Sequence, residues 1–301
     1  MPPEKRSLEE QQATDAPPGQ FPAAELARLT ELPDQEAWQE RLDTIRNKKG
    51  FLCDMDGVIY HGNILLPGAK EFVAWMVRQD KKFLFLTNNS APTPQELSEK
   101  LKRLGLDIGP SHFYTSAQST AAFLKSQKPR GGSCYVIGEP GLTYALYEHG
   151  FTMSSESPDY VVIGEGSSQN YEKLTRALNL VVTKGAKLIG TNPDTNGVTD
   201  NGMVLGTGAF LAALESASGK KAFSCGKPSS LMMQYAQSLL GVAREDTCII
   251  GDRMDTDILA GINTQIDPVL VMSGVTNLDN LFIDAYRPFL VLNGVGEIVS
   301  N

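Results

Sequence analysis

Phe51-Leu52-Cys53-Asp54-Met55-Asp56-Gly57-Val58-Ile59-Tyr60 decides how the chain is read. A short apolar run stops at two carboxylates one residue apart, and a glycine follows. The apolar part reads as a strand buried on both faces. The carboxylates then fall at its carboxyl end, where open α/β sheets carry their chemistry. Asp54 and Asp56 cannot both stay charged, buried and unpaired, because each raises the other's pKa and a lone buried charge is costly. A divalent cation removes that conflict. An ordinary turn is the plain alternative, since Asp and Gly favour turns. The rest of the chain decides between them.

Downstream, residues 57–66 read as a loop forming a small flap that ends at Pro67-Gly68, and a helix is predicted over 69–79. Lys82-Phe83-Leu84-Phe85-Leu86-Thr87 is a second strand, ending in a hydroxyl and two amides, Asn88 and Asn89. Thr93-Pro94-Gln95-Glu96 opens a helix with a capping box and proline at the first helical position. A short strand over 113–115 and a helix over 116–126 follow. Alternating strands and helices of this kind build a parallel sheet with crossover helices.

Lys128-Pro129-Arg130-Gly131-Gly132 reads as a linker, and beyond it the pattern restarts. Strands are expected at 133–137, 160–163 and 187–190, with helices at 141–149 and 171–183 and a last one from Gly206 to Gly219. This block, residues 131–219, has the size of an inserted αβ domain. Ala222 to Cys225 is expected to resume the first sheet and ends in Gly226-Lys227-Pro228. A helix over 229–240 leads to Thr247–Ile250, which ends in Gly251-Asp252-Arg253-Met254-Asp255-Thr256-Asp257. A helix over 257–263 and strands at 268–272 and 288–292 complete the series. The expected division is an N-terminal extension, 1–47, and a core made of 48–130 and 220–301, with the insertion between. The first twenty residues read as disordered, and Trp38, Leu42 and Ile45 as one face of a docking helix.

Composition narrows the classes. At 41% hydrophobic and 21% charged the chain is an ordinary soluble globular protein. A net charge of −8 with no Lys/Arg stripe argues against a nucleic-acid polymer as partner. No apolar run reaches membrane-spanning length, and the N-terminus lacks a signal or transit pattern, so a cytoplasmic protein without membrane contact is expected. Cys53, Cys134, Cys225 and Cys248 form no C-x-x-C pair and read as reduced, buried thiols.

Strand ends thus carry Asp54 with Asp56, Thr87, Lys227, and Asp252 with Asp257. If the strands are parallel, all of these lie on one edge of one sheet. Phosphoryl transfer through an aspartyl-phosphate needs this set: a carboxylate nucleophile, carboxylates for Mg²⁺, a lysine and a hydroxyl for the phosphoryl oxygens, and a second acid.

DMDG, the Thr87 strand end, GKP and GDRMDTD together resemble, in order, the four motifs of the haloacid dehalogenase superfamily, over residues 50 to about 298. The resemblance implies a Rossmann-like doubly wound α/β core with an inserted αβ cap of the C2a class. It implies Asp54 as nucleophile and Asp56 as general acid/base that also offers its backbone carbonyl to Mg²⁺. It implies Thr87, Lys227 and the backbone amide of Asn88 as phosphoryl binders, Asp252 as a metal ligand, and Asp257 in support. An Asp at position 56 points to a phosphatase rather than a dehalogenase or P-type ATPase. PGAKEF, FYTSA, VIGE, TNPDTNG and GTGA are similar to the NagD-type branch.

That branch acts on small phosphorylated metabolites: ribonucleoside monophosphates, UMP above all, and 4-nitrophenyl phosphate, pyridoxal phosphate and phosphoglycolate. Asn192, Asp194 and the loop from Gly164 to Asn170 are the candidates for substrate choice on the cap, with a tight turn as the alternative for Asn192-Pro193-Asp194. Gly166-Ser167 stands where the branch tends to carry Thr-Arg or Asp-Arg, which bears on nucleotide preference. Sugar phosphates remain alternatives, and self-association through the cap is an open expectation. Two other classes, a phospho-aspartate signalling module and a non-catalytic metabolite binder, fit the residues less well. Signalling receivers lack an inserted cap, and a binder has no need of both Asp54 and Asp56.

Overall fold

The protein's structure, a computed structural model, describes residues 21–167, 169–199 and 202–300. The expectation for the first twenty residues lies outside them. Six parallel strands form the first sheet, in the order Leu290–Leu292, Asp267–Val271, Thr247–Gly251, Gly50–Cys53, Lys82–Thr87, Phe113–Thr115. The chain builds outward from Gly50–Cys53 to one edge, then returns and builds to the other. The winding therefore reverses between Gly50–Cys53 and Thr247–Gly251, the place where doubly wound sheets bind ligands.

Side chains alternate across this sheet. Phe51 and Cys53 join a core with Ile45, Phe72 and Met76, whereas Leu52 joins another with Met232, Met233 and Ala236. Both faces are covered, which is why the strand is an unbroken apolar run. Phe51 sits edge-on to Trp75, with ring centroids 5.6 Å apart, and fixes the helix Ala69–Arg78 on that face. The capping box at Thr93 and Glu96 is formed as expected.

A second parallel sheet has five strands, in the order Phe223–Ser224, Lys187–Gly190, Tyr160–Ile163, Gly132–Ile137, Phe151–Met153. Here one expectation is corrected. Ala222–Cys225 does not resume the first sheet: Phe223 pairs with Ile189 and Ser224 with Gly190. Its sequence signals a strand but not which sheet it joins, and at the sheet's edge Phe223 stays exposed. Among the elements not foreseen are the helix Ala23–Leu29, the strand Phe151–Met153 and the antiparallel hairpin Asn196–Thr199 with Gly202–Leu205. Residues 202–205 are exposed throughout, so no burial pattern marks them.

The helix Gln35–Asn47 buries Trp38, Leu42 and Ile45, as its sequence predicts. With the helix Ala23–Leu29 it covers the outer edge of the first sheet. Trp38 Nε1 donates to Val291 O at 3.0 Å, and Val291 N donates to Thr30 Oγ1 at 3.1 Å. These bonds satisfy an edge strand that would otherwise present unpaired groups.

Trp38→Ala removes a buried ring and leaves the Val291 carbonyl without its indole donor. We expect a loss of about 3 kcal/mol in urea unfolding; a loss below about 1 kcal/mol would show that the extension does not share the core's stability.

Candidate active site

The carboxyl ends of three neighbouring strands of the first sheet place Asp54, Thr87 and Asp252 side by side. Lys227 arrives from elsewhere. It follows Phe223–Ser224, at the edge of the second sheet, so the expectation of one edge of one sheet holds for three of these four and not for the lysine. The side chains converge nonetheless. Lys227 is 2% exposed; its Nζ pairs with Asp54 Oδ1 and lies 2.6 Å from Asp257 Oδ1. Asp54, Asp252 and Asp257 each offer an oxygen, and these lie within 4.8 Å of one another.

Asp257 has both oxygens engaged, Oδ1 by Lys227 and Oδ2 by the Arg253 amide at 3.2 Å. Asp252 accepts from Val275 N at 2.7 Å. Backbone crowds it: a Cβ on Gly274 would lie 2.0 Å from Asp252 Oδ2, and one on Gly57, at φ +76°, 2.5 Å from it. Only glycine permits so close an approach at either place. Three carboxylates facing one ammonium leave excess negative charge, and an all-oxygen donor set suits a hard divalent cation. The residues present fit a metal ion.

The charges register this crowding. Burial pushes the Asp54 carboxyl well above its ordinary range, with the Lys227 ammonium pulling against it. Burial, then the charge of Asp257, lifts Asp252 to about 7. Burial opposes the charge on Lys227, but Asp257 and Asp54 outweigh it and raise its pKa above the usual lysine range.

A cavity of about 1560 Å³ opens over this cluster, and Asp56, Thr87, Glu165, Asp194 and Arg253 reach its wall. Asp56 is exposed and lies 3.4 Å from His61 Nδ1 on the small flap, the hairpin Tyr60–His61 with Ile64–Leu65. Thr87 Oγ1 accepts from Asn89 N at 3.1 Å. Asp194 and Glu165 come from the second sheet's side, and burial raises both their pKa values, against hydrogen bonds from Asn88 and Asn192 respectively.

Asn192 departs from expectation. It is fully buried behind the wall, where its Nδ2 donates to Asn88 O at 2.7 Å and Glu165 Oε1 at 3.1 Å, and its Oδ1 accepts from Asp194 N at 3.0 Å. Its amide is committed to shaping the turn, so the turn reading describes it and substrate contact does not. In the loop 164–170, Ser167 N donates to Glu139 Oε1 at 3.0 Å, which folds Gly166-Ser167 onto its own side; Ser168 lies outside the described residues. Sequence reasoning missed Arg253, whose guanidinium pairs with Asp255 at 2.8 Å while facing the cavity. Its place directly after Asp252 was the available signal.

Two family models match, a haloacid dehalogenase-like hydrolase over residues 51–152 and a HAD-hydrolase-like one over residues 224–298. Dihydroxyacetone phosphatase of Corynebacterium glutamicum is 40% identical over 250 residues, 83% of this chain and 90% of that protein. Ribonucleotide monophosphatase NagD of Escherichia coli is 39% identical over 83% of this chain and 98% of its own length. The solved 4-nitrophenylphosphatase of Thermotoga maritima superposes with a TM-score of 0.81 at 32% identity, covering 85% of this chain and 97% of that one. The chain belongs to the haloacid dehalogenase-like hydrolases, in their NagD-like branch. It is a phosphoric monoester hydrolase for small phosphorylated metabolites.

A carboxyl whose pKa is higher folded than unfolded stabilises the fold below its unfolded value and loses that contribution as pH rises through the folded one. Asp252 therefore makes the metal-free protein less stable between about pH 4 and pH 7. Melting temperature in EDTA should fall across that window relative to Asp252→Asn, and Mg²⁺ at pH 7.5 should restore it. Parallel curves for the two proteins would contradict this assignment.

Proposed function

We propose that this protein is a Mg²⁺-dependent phosphomonoesterase working through an aspartyl-phosphate on Asp54, with a neutral, hydroxyl-bearing leaving group. The observation that carries the reading is Asp54 itself, gathered with Asp252 and Asp257 around the ammonium of Lys227 at the base of a cavity. Asp54, Asp252 and the Asp56 carbonyl would hold the cation. When bound, it neutralises the facing carboxylates and draws charge from the phosphoryl oxygens.

The residues then divide the work. An Asp54 oxygen attacks phosphorus as the ester P–O bond breaks, and the electron pair leaves with the substrate oxygen. Asp56, exposed beside His61, gives that oxygen a proton. It next removes a proton from water, which attacks the same phosphorus and frees Asp54 with inorganic phosphate. Lys227, Thr87 and the backbone amide of Asn88 face the charge that develops on the phosphoryl oxygens, and Asp257 holds Lys227 in place.

The cavity wall supports the choice of leaving group. Glu165 and Asp194 are carboxyl acceptors, suited to hydroxyl groups, and Gly166-Ser167 brings no arginine toward them. A ribonucleoside monophosphate such as UMP is the first candidate. Sugar or triose phosphates come second, since relatives are named dihydroxyacetone phosphatase and acid sugar phosphatase. Phosphoglycolate and pyridoxal phosphate carry further charge and fit such a wall less well.

Asp54→Asn should lower kcat on p-nitrophenyl phosphate by about 10⁴-fold or more with folding intact, and Asp56→Asn by about 10²–10⁴-fold. Phosphate release across a panel should favour UMP and sugar phosphates over phosphoglycolate by about tenfold in kcat/KM. An active Asp54→Asn protein would end the mechanism, and a panel led by phosphoglycolate would end the substrate choice.

A further inference from the structure

Lys227 must reach Asp54 from a different sheet, so something has to hold its loop in register with the first sheet. The Asn88 carboxamide does this. Its Oδ1 accepts from Lys227 N at 2.8 Å, and its Nδ2 donates to Lys227 O at 2.9 Å. Both backbone groups of one residue are thus paired by one side chain, as a neighbouring strand would pair them. The second Nδ2 hydrogen goes to Asp194 Oδ2, at 3.0 Å, on the cavity wall contributed by the second sheet. Every polar atom of the carboxamide is used.

The surroundings leave no slack. Asn88's own carbonyl accepts from Asn192 Nδ2 at 2.7 Å and Ser116 Oγ at 2.5 Å. A Cβ on Gly226 would come within 2.7 Å of Asn88 Oδ1 and 2.6 Å of Thr191 O. Asp at position 88 would have no hydrogen to donate, Ser would be too short for three partners, and Gln would carry the amide past them.

The geometry points to Asn88 as a positioning residue that couples the Asp194 wall to the phosphoryl-binding lysine. With Asp194 seated on Asn88, the Lys227 loop is held where its ammonium meets Asp54 and Asp257. With Asp194 withdrawn or mismatched, the carboxamide keeps only its two bonds to Lys227 and loses the third that orients it, so the lysine loop is held less firmly. The side chain facing the leaving group and the side chain facing the phosphoryl group are thereby set by one amide. This inference rests on the phosphatase reading for its kinetic readout and on hydrogen-bond geometry for the rest.

The test is a swap. Asn88→Asp places acceptors against Asp194 and the Lys227 carbonyl, and should lower kcat/KM on p-nitrophenyl phosphate with Mg²⁺ by about 100-fold. Asp194→Asn alone keeps an acceptor for Asn88 and should cost less than about 5-fold. Combining the two restores the hydrogen bond between positions 88 and 194, now donated from 194, though not the one to the Lys227 carbonyl, and kcat/KM should recover in part, by about tenfold over Asn88→Asp. A double variant no better than Asn88→Asp, or an Asn88→Asp protein within about 3-fold of the parent, overturns the coupling. Should Asn88→Asp fail to fold, Asn88→Ser and Asp194→Ala are combined instead, in melting temperature as well as kcat/KM; additive effects then overturn it. An unsubstituted protein that releases no phosphate defeats the functional reading instead, and the melting-temperature cycle still decides on Asn88.

Discussion

A buried ammonium between two carboxylates holds this molecule's chemistry together. Lys227 is almost wholly removed from water and pairs with Asp54 and Asp257. Its charge could not be sequestered there without them, and they could not crowd together without it. Yet the balance is incomplete, because Asp252 adds a third carboxylate whose pKa burial lifts to about 7. The protein alone leaves this corner too negative, and that surplus fits it to a divalent cation, whose charge would in turn be needed before an anionic group could approach.

The fold exists to make this meeting possible. Three of the groups come from adjacent strand ends where the winding of the first sheet reverses. The fourth comes from the edge of a second sheet that also supplies Glu165 and Asp194 to the cavity wall. The first sheet thus supplies the carboxylates and Thr87, the second sheet's side supplies Lys227 together with the Glu165 and Asp194 wall, and Asn88 bonds across the seam between them. Far from the seam, the helical extension seals the sheet's outer edge through Trp38 and Thr30.

Much of this was legible in the residues. Strands buried on both faces announce themselves as apolar runs, so Gly50–Cys53 and Thr247–Gly251 and the polar groups at their ends could be read directly. Lys227 was also found, because a lysine after glycine and before proline stands out beside a strand. What could not be read was its sheet: Phe223–Ser224 has the same apolar signal whichever ladder it joins. The hairpin ending in Leu205 was hidden for the opposite reason, since an exposed strand has no buried face to mark it. Asn192 and Asn88 show a further limit. Both are amides in turns, and sequence alone does not tell whether an amide serves a substrate or the backbone around it.

The most direct test is to find where phosphorus resides during turnover. A reaction with substrate and Mg²⁺ is quenched in acid after milliseconds, reduced with borohydride to mark any acyl phosphate, and digested for peptide mass analysis. The account predicts the reduced residue at Asp54 and at no other carboxylate. Rapid phosphate release with Asp54 unmodified throughout, or the mark on Asp56, would contradict it.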